Sequence, residues 1–305
     1  MISASTAAPA WTKEFKKLWP AAKLSEPLRK HTTWRIGGPA DAFCEPKDVP
    51  ELVKALAFAR DHSLPYFLLG WGSNILVLDG GVRGLVLRLK GEFDHIERLD
   101  DTKVWAGAAV RLPRLVVYCA QRGLAGSEPL VGVPGTVGGA LVMNAGTREG
   151  EMGDLVREVE MVQNLETRRV PASAIAFGYR HSSLEGRILT GAVLELKPGV
   201  KGDIMRRIQA LQKRRQETQP IHSRNVGSVF KNPPGHFVAK LIEDSGLKGF
   251  RVGGAVVSAL HANFIDNTHG ASARDVQDLV SIVRGRVREK TGVELELEVK
   301  MVGEA

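Results

Sequence analysis

Cysteine is almost absent from this chain: Cys44 and Cys119 are its only two in 305 residues. They form no Cys-x-x-Cys pair, so neither a disulfide framework nor a zinc site is expected, and a reducing cytoplasm fits. The histidines show no His-x-x-x-His spacing, and a metal site is not expected. No apolar run reaches the roughly 18 residues that a membrane span needs. The first twenty residues lack the long apolar stretch of a secretory signal. Aromatics make up 6% of the chain and are missing from the basic stretch 206–215, which lacks the stacking platform of a single-strand nucleic-acid binder. Repeats, low-complexity blocks and long linkers are absent as well.

Glycine, by contrast, is plentiful, with 33 residues. Two segments concentrate it: LGWGSN at 69–74 and GVPGTVGGALVMNAG at 132–146. Glycine lets backbone N–H groups approach a pyrophosphate closely and permits positive φ. Each segment alone also reads as a structural turn, but together they favour a phosphate cradle. The candidate cofactor residues are Gly70, Trp71, Gly72, Ser73, Asn74 and Ile75 in the first segment. In the second they are Gly132, Pro134, Gly135, Thr136, Gly139, Asn144 and Gly146. This second segment is too glycine-dense to read as a packed helix and reads as a long functional loop. The net charge of +8 suits a polyanionic partner, either nucleic acid or a phosphorylated ligand. The basic stretch 206–215 reads as the solvated face of a helix whose apolar stripe is Ile204, Ile208 and Leu211.

Periodicity predicts helices over 48–63, over 112–123 and from Ser272 onward, the last with a Ser272–Asp275 capping box. Strands are predicted at 66–69 (buried), 75–78, 84–89, 156–162, 188–196 and 293–302. The first glycine segment therefore lies between strand and strand. A doubly wound dinucleotide fold places G-x-G-x-x-G between strand and helix, so NAD binding of that type is disfavoured. A soft boundary falls near 197–202.

Two further motifs carry polar chemistry. NVGSVFKNP at 225–233 offers a hydroxyl on Ser228 and donors on Lys231 and Asn232. No G-x-S-x-G elbow surrounds the serine, so a hydrolase triad is poorly supported; a surface turn is the bland reading. In YRHSS at 179–183, Arg180 and His181 equally suit a surface loop. Glu294, Glu296 and Glu298 fall on one face of the last predicted strand, and one of them could turn inward at a cleft.

In this order the motifs resemble the UDP-N-acetylenolpyruvoylglucosamine reductases of peptidoglycan synthesis, often called MurB. The matching stretches are HTTWRIGGPADAF at 31–43, LGWGSNILVLDGGVRGLVLRL at 69–89, GSEPLVGVPGTVGGALVMNAG at 126–146, YRHSSL at 179–184 and GSVFKNPPG at 227–235. GLKGFRVGGAVVSALHANFIDN at 246–267 and GVELELEVKMVG at 292–303 complete the set, so the resemblance runs from about residue 28 to 303. It implies an α+β chain: a two-subdomain FAD-binding fold of the vanillyl-alcohol-oxidase type over 28–199, after an N-terminal segment 1–27, and an α+β substrate-binding domain over 200–305. It implies non-covalent FAD, NADPH as reductant, a UDP-sugar as substrate, a cytoplasmic location, and neither nucleic acid nor membrane insertion as a partner. Residue by residue, it makes Arg180 the partner of the substrate carboxylate, Ser228 the proton donor and Glu298, not Glu296, the catalytic glutamate. Tyr179, Lys231 and Asn232 would meet the UDP-sugar. The chain is short between Arg180 and Ser228. It therefore looks like the branch without a tyrosine-bearing loop over the substrate. Trp71 stands where many relatives carry a small or polar residue. Two alternatives remain: another FAD-dependent sugar or alcohol oxidoreductase on the same scaffold, and a nucleic-acid binder.

Overall fold

The computed structural model describes residues 9–305. Its α-helices are α1 Ala10–Leu18, α2 Val49–Asp61, α3 Leu112–Gln121, α4 Val137–Met143, α5 Lys201–Thr218, α6 Val238–Asp244 and α7 Ala273–Thr291. Capping side chains explain the starts of two of them, α7 as predicted. Asp48 accepts the Glu51 N–H at the start of α2, and Pro50 occupies its first turn; a helix N-terminus lacks intrahelical acceptors for these donors. Ser272 and Asp275 form the capping box of α7, which ends at Gly292 in the left-handed conformation. Val276, Leu279, Val280, Val283 and Val287 are all buried along α7, each contributing about 1.5–3 kcal/mol over exposure.

Two larger sheets organise the N-terminal two thirds. An antiparallel sheet runs in the order Glu166–Pro171, Val156–Gln163, Ile188–Glu195, Lys103–Gly107, Ile96–Arg98. The central strand is apolar and buried on both faces, as its continuous run ILTGAVL suggests. The second sheet has the order Lys23–Pro27, Pro39–Cys44, Val82–Leu87, Tyr66–Leu68. Its last three strands are parallel. α5 lays Ile204 and Ile208 into the same core as the five-stranded sheet. A second core gathers residues 226–299 around α7 and takes in Trp34, Ile36 and Leu76 from the N-terminal part. Buried side chains lock this seam: the Trp34 indole donates to the Ile265 carbonyl at 2.8 Å, and the Asn267 amide donates to the Trp34 carbonyl at 2.8 Å. Finally, Lys300–Val302 returns to pair in parallel with Ile75–Val77, just after the first glycine segment.

Three local expectations need correction. Half of the second glycine segment is helical: Thr136 caps α4 over Val137–Met143. Tertiary packing overrides propensity here. A Cβ at Gly138 would lie 3.2 Å from the Ala108 carbonyl oxygen, so glycine lets the helix lie directly on that backbone. The predicted strand over 293–302 is regular only at Lys300–Val302. Before that, the chain makes one isolated bridge, Phe230 to Leu297, because the Val229 carbonyl accepts from both Glu298 and Val299, which breaks the alternation. The strand at Tyr66–Leu68 exists but is half-exposed, not buried.

Candidate active site

The two glycine segments meet. The Ser73 hydroxyl donates to the Pro134 carbonyl at 2.8 Å, and a Cβ on Gly70 would come within 2.9 Å of Thr136 Oγ1. Gly72 has φ +67°, and a side chain there would strike the His31 carbonyl; the left-handed turn demands glycine. Among the described residues, the backbone N–H groups of Gly70, Trp71, Gly72, Ser73 and Asn74 find no acceptor, nor do those of Gly135 and Thr136. Rows of unspent N–H donors on facing loops make an anion nest. They open into a cavity of about 1270 Å³, larger than the roughly 300–1,000 Å³ of an ordinary small-ligand pocket. A dinucleotide and a second ligand together suit such a volume. Trp71 lines the same cavity, with the Arg111 guanidinium stacked 3.6 Å from its ring centre.

Arg180, Ser228 and Glu298 also line this cavity. Arg180 sits at φ +56°, rare for a side-chain-bearing residue. Its Nε donates to Glu298 Oε1 at 3.1 Å and its Nη2 donates to the Gly146 carbonyl at 2.9 Å. Both side chains of the pair are largely buried. Burial pushes the Glu298 carboxyl above its usual range, and the Arg180 charge opposes that shift without cancelling it. Desolvation of the carboxylate is the larger effect in this low-dielectric setting. Glu298 is held by its backbone: its carbonyl accepts from the Asn74 side chain at 3.1 Å, and its N–H donates to the Val229 carbonyl at 2.9 Å. Ser228 precedes that Val229 and so lies beside Glu298.

Glu294 and Glu296 do not join them. They are exposed and pair with Arg288 and with Lys231, the latter at 2.6 Å. Of the other expected site residues, Gly132, Asn144, Tyr179, Lys231 and Asn232 do not line the cavity. Asn144 is fully buried, and its amide is spent on Glu151, the Gly178 carbonyl and the Gly153 N–H. That clip holds the 178–180 turn and hence Arg180. Asn232 uses its side-chain oxygen to receive the Val238 N–H, and its own N–H meets the exposed Tyr179 hydroxyl at 3.4 Å. Tyr179, Lys231 and Asn232 thus form a cluster just outside the cavity.

Asn263 was not legible as a site residue. Its buried amide brackets Phe230, accepting from the N–H at 3.0 Å and donating to the carbonyl at 2.8 Å. Its own carbonyl accepts from Val229. It therefore fixes the segment that carries Ser228. Only the ALHANF stretch, an asparagine among apolar residues, hints at it. Among the described residues, no three of His, Cys, Asp and Glu gather as metal ligands.

Comparison with known proteins settles the family. The family model for an FAD binding domain matches residues 40–167, and that for the UDP-N-acetylenolpyruvoylglucosamine reductase C-terminal domain matches 219–302. The UDP-N-acetylenolpyruvoylglucosamine reductase of Moorella thermoacetica is 48% identical over 283 residues, covering 92% of this chain and 93% of that protein. This chain belongs to the UDP-N-acetylenolpyruvoylglucosamine reductase family. The reductase of Methylococcus capsulatus is 47% identical, with 92% of each chain covered. The crystal structure of the Thermus caldophilus reductase (MurB) superposes with a TM-score of 0.80 at 41% identity, covering 92% of this chain and 98% of that one. The resemblance drawn from the motifs therefore holds, and with it the class of FAD-dependent oxidoreductase. The cradle fits that cofactor: paired loops with free N–H donors suit a diphosphate, and the cavity has room for the flavin.

Proposed function

We propose that the protein reduces the enolpyruvyl ether of UDP-N-acetylenolpyruvoylglucosamine to a lactyl ether, giving UDP-N-acetylmuramate, with NADPH as the source of electrons. The observation that carries this reading is the buried Arg180–Glu298 pair beside Ser228, on the wall of a cavity whose other wall is the phosphate cradle. Residues 28–199 hold FAD and residues 200–305 hold the sugar nucleotide, with α5 packed back on the first part. FAD, bound without a covalent link, would relay hydride from NADPH to the substrate.

Arg180 takes the substrate carboxylate. A guanidinium pairs with it bidentately and stabilises the negative charge that spreads into it as hydride adds to the terminal carbon. Arg180 stays anchored by Gly146 while it does so. The Ser228 hydroxyl donates a proton to the neighbouring carbon; a carbanion is a strong base, so placement matters more than the weak acidity of serine. Glu298, whose carboxyl burial pushes above its usual range while Arg180 opposes the shift, stands beside the carbon where the enolate develops and helps to orient and stabilise it. Lys231, Asn232 and Tyr179, outside the cavity, meet the diphosphate and sugar. No helix among the described residues is long and apolar enough to cross a membrane, which is compatible with a cytoplasmic enzyme supplied with NADPH and a UDP-sugar; nucleic acid is no part of this reading.

Anaerobic stopped-flow tests it. NADPH should bleach the bound flavin first, and the UDP-enolpyruvyl sugar should restore the colour. Reduction by NADPH with no reoxidation by that sugar would point to another oxidoreductase on the same scaffold.

A further inference from the structure

The basic stretch of α5 does not behave uniformly. Arg206 pairs with Asp203, and Arg207 reaches Glu149 at 3.2 Å. Arg215 turns the other way. It lies against Gly132, where a Cβ would come within 2.6 Å of its Nη1 and 2.8 Å of its Cδ. The glycine at 132 thus makes room for a guanidinium, which accounts for its place in the motif although it does not line the cavity. Arg215 Nε has no exposed surface and no hydrogen-bond partner among the described residues. The residue lines the large cavity that Pro134, Gly135 and Thr136 also line. Arg180 and Lys300, on the same cavity, are paired with Glu298 and Glu185. Among the described residues no carboxylate plays that part for Arg215, and burial alone lowers its pKa. An uncompensated buried cation is costly to the protein that carries it, and an anion at the orphaned edge would offset the cost.

We propose that Arg215 is a phosphate ligand of FAD, supplied to the second glycine loop by the helix that leads into the C-terminal part of the chain. The ligand chemistry is a phosphate diester or anhydride. The cavity admits two other sources of it, the UDP-sugar and NADPH. FAD is favoured by position, because Arg215 packs against Gly132, at the start of the loop that carries the unspent N–H groups of Gly135 and Thr136, and Pro134 of that loop is tied to the first glycine loop through Ser73. The consequence is a coupling between the two parts. Nine residues after the end of α5 comes Gly227, followed by Ser228, so a cofactor that grips Arg215 also braces the segment bearing the proton donor. The inference rests on the FAD reading of the cavity.

The test compares wild type, Arg215→Met and Arg215→Lys as flavin-free proteins titrated with FAD, with thermal unfolding followed in both the free and loaded forms. Methionine fills the space without the charge. Arg215→Met should weaken FAD binding at least tenfold while the flavin-free variant melts above the flavin-free wild type, since a half-buried, unpaired charge has gone. Arg215→Lys should lie between. Opposite signs in the two measurements distinguish a ligand from a strut. FAD affinity within twofold of wild type would overturn the inference, as would a flavin-free Arg215→Met that melts lower in step with its loss of FAD. A rise in KM for the UDP-sugar or NADPH with FAD affinity unchanged would assign Arg215 to that ligand and overturn it equally. A wild type that takes up no FAD would instead sink the cofactor reading itself.

Discussion

The side-chain amide of Asn74 donates to the backbone carbonyl of Glu298 at 3.1 Å, joining the first glycine loop to the last segment of the chain across 224 positions. The contact is doubled by the Lys300 N–H, which donates to the Asn74 carbonyl at 3.1 Å. Asn74 therefore does two things: its N–H stays free in the first glycine loop, where the proposed function places the FAD diphosphate, and its side chain holds the backbone of Glu298. In the proposed function, cofactor seat and reacting wall thus share one residue.

Asn74→Ala should weaken both functions unequally. The loop N–H groups remain, so FAD binding falls modestly. The lost hydrogen bond is worth about 0.5–1.5 kcal/mol, but a displaced Glu298 slows the sugar half-reaction by roughly tenfold or more, because small misplacements at a reacting centre are expensive. Stopped-flow reoxidation of reduced enzyme measures this directly. Equal slowing of flavin reduction by NADPH would argue that the loop itself had collapsed.

Ser228→Ala should separate the half-reactions more sharply. Removal of a positioned proton donor costs roughly 10²–10⁴-fold, and only in the step that reduces the sugar. Bleaching of the flavin by NADPH should stay within about twofold of wild type. Comparable losses in both steps would remove Ser228 from the role of proton donor.

Asn263→Ala tests the support beneath that serine. It leaves the buried N–H and carbonyl of Phe230 without side-chain partners. Each unsatisfied buried group costs about 1–3 kcal/mol, so urea unfolding should show a loss of roughly 2–6 kcal/mol. A loss below about 0.5 kcal/mol would mean that water replaces the bracket and that Asn263 does not fix the segment.

Much of this site was legible because its motifs are local. The glycine segments, Arg180, Ser228 and Glu298 all stand in short runs with their own spacing, and all but a few line one cavity. What escaped depends on partners distant in the chain. The α4 helix is glycine-rich yet forms, because Ala108 presents backbone for it to lie on. The alternation in 293–302 put three glutamates on one face and did not itself say which would turn inward; the shared Val229 carbonyl breaks the register and sends Glu298 inward while Glu296 faces solvent. Arg215 looked like one cation in a charged run; only the gap at Gly132 shows where it points. Asn144 read as a cofactor contact because it sits among glycines, whereas its buried amide serves the Arg180 turn.

The two glutamates of that last segment should respond in opposite ways to replacement and to pH. Glu296→Gln removes an exposed ion pair with Lys231, worth about 0–1 kcal/mol, and should leave turnover near wild type. Glu298→Gln should reduce turnover severely. Its carboxyl is held above its ordinary range by burial, so the folded protein binds that proton more tightly than the unfolded chain does. The stability due to this proton is fully present below the ordinary glutamate pKa and is lost as pH rises through the raised value. If the protonated form assists the enolate, the sugar half-reaction of the wild type should slow over the same rise, with no such limb in Glu298→Gln, whose amide can still accept from Arg180. Measuring reoxidation from about pH 4.5 to 9 separates the cases: an identical alkaline limb in both proteins would place the titrating group elsewhere.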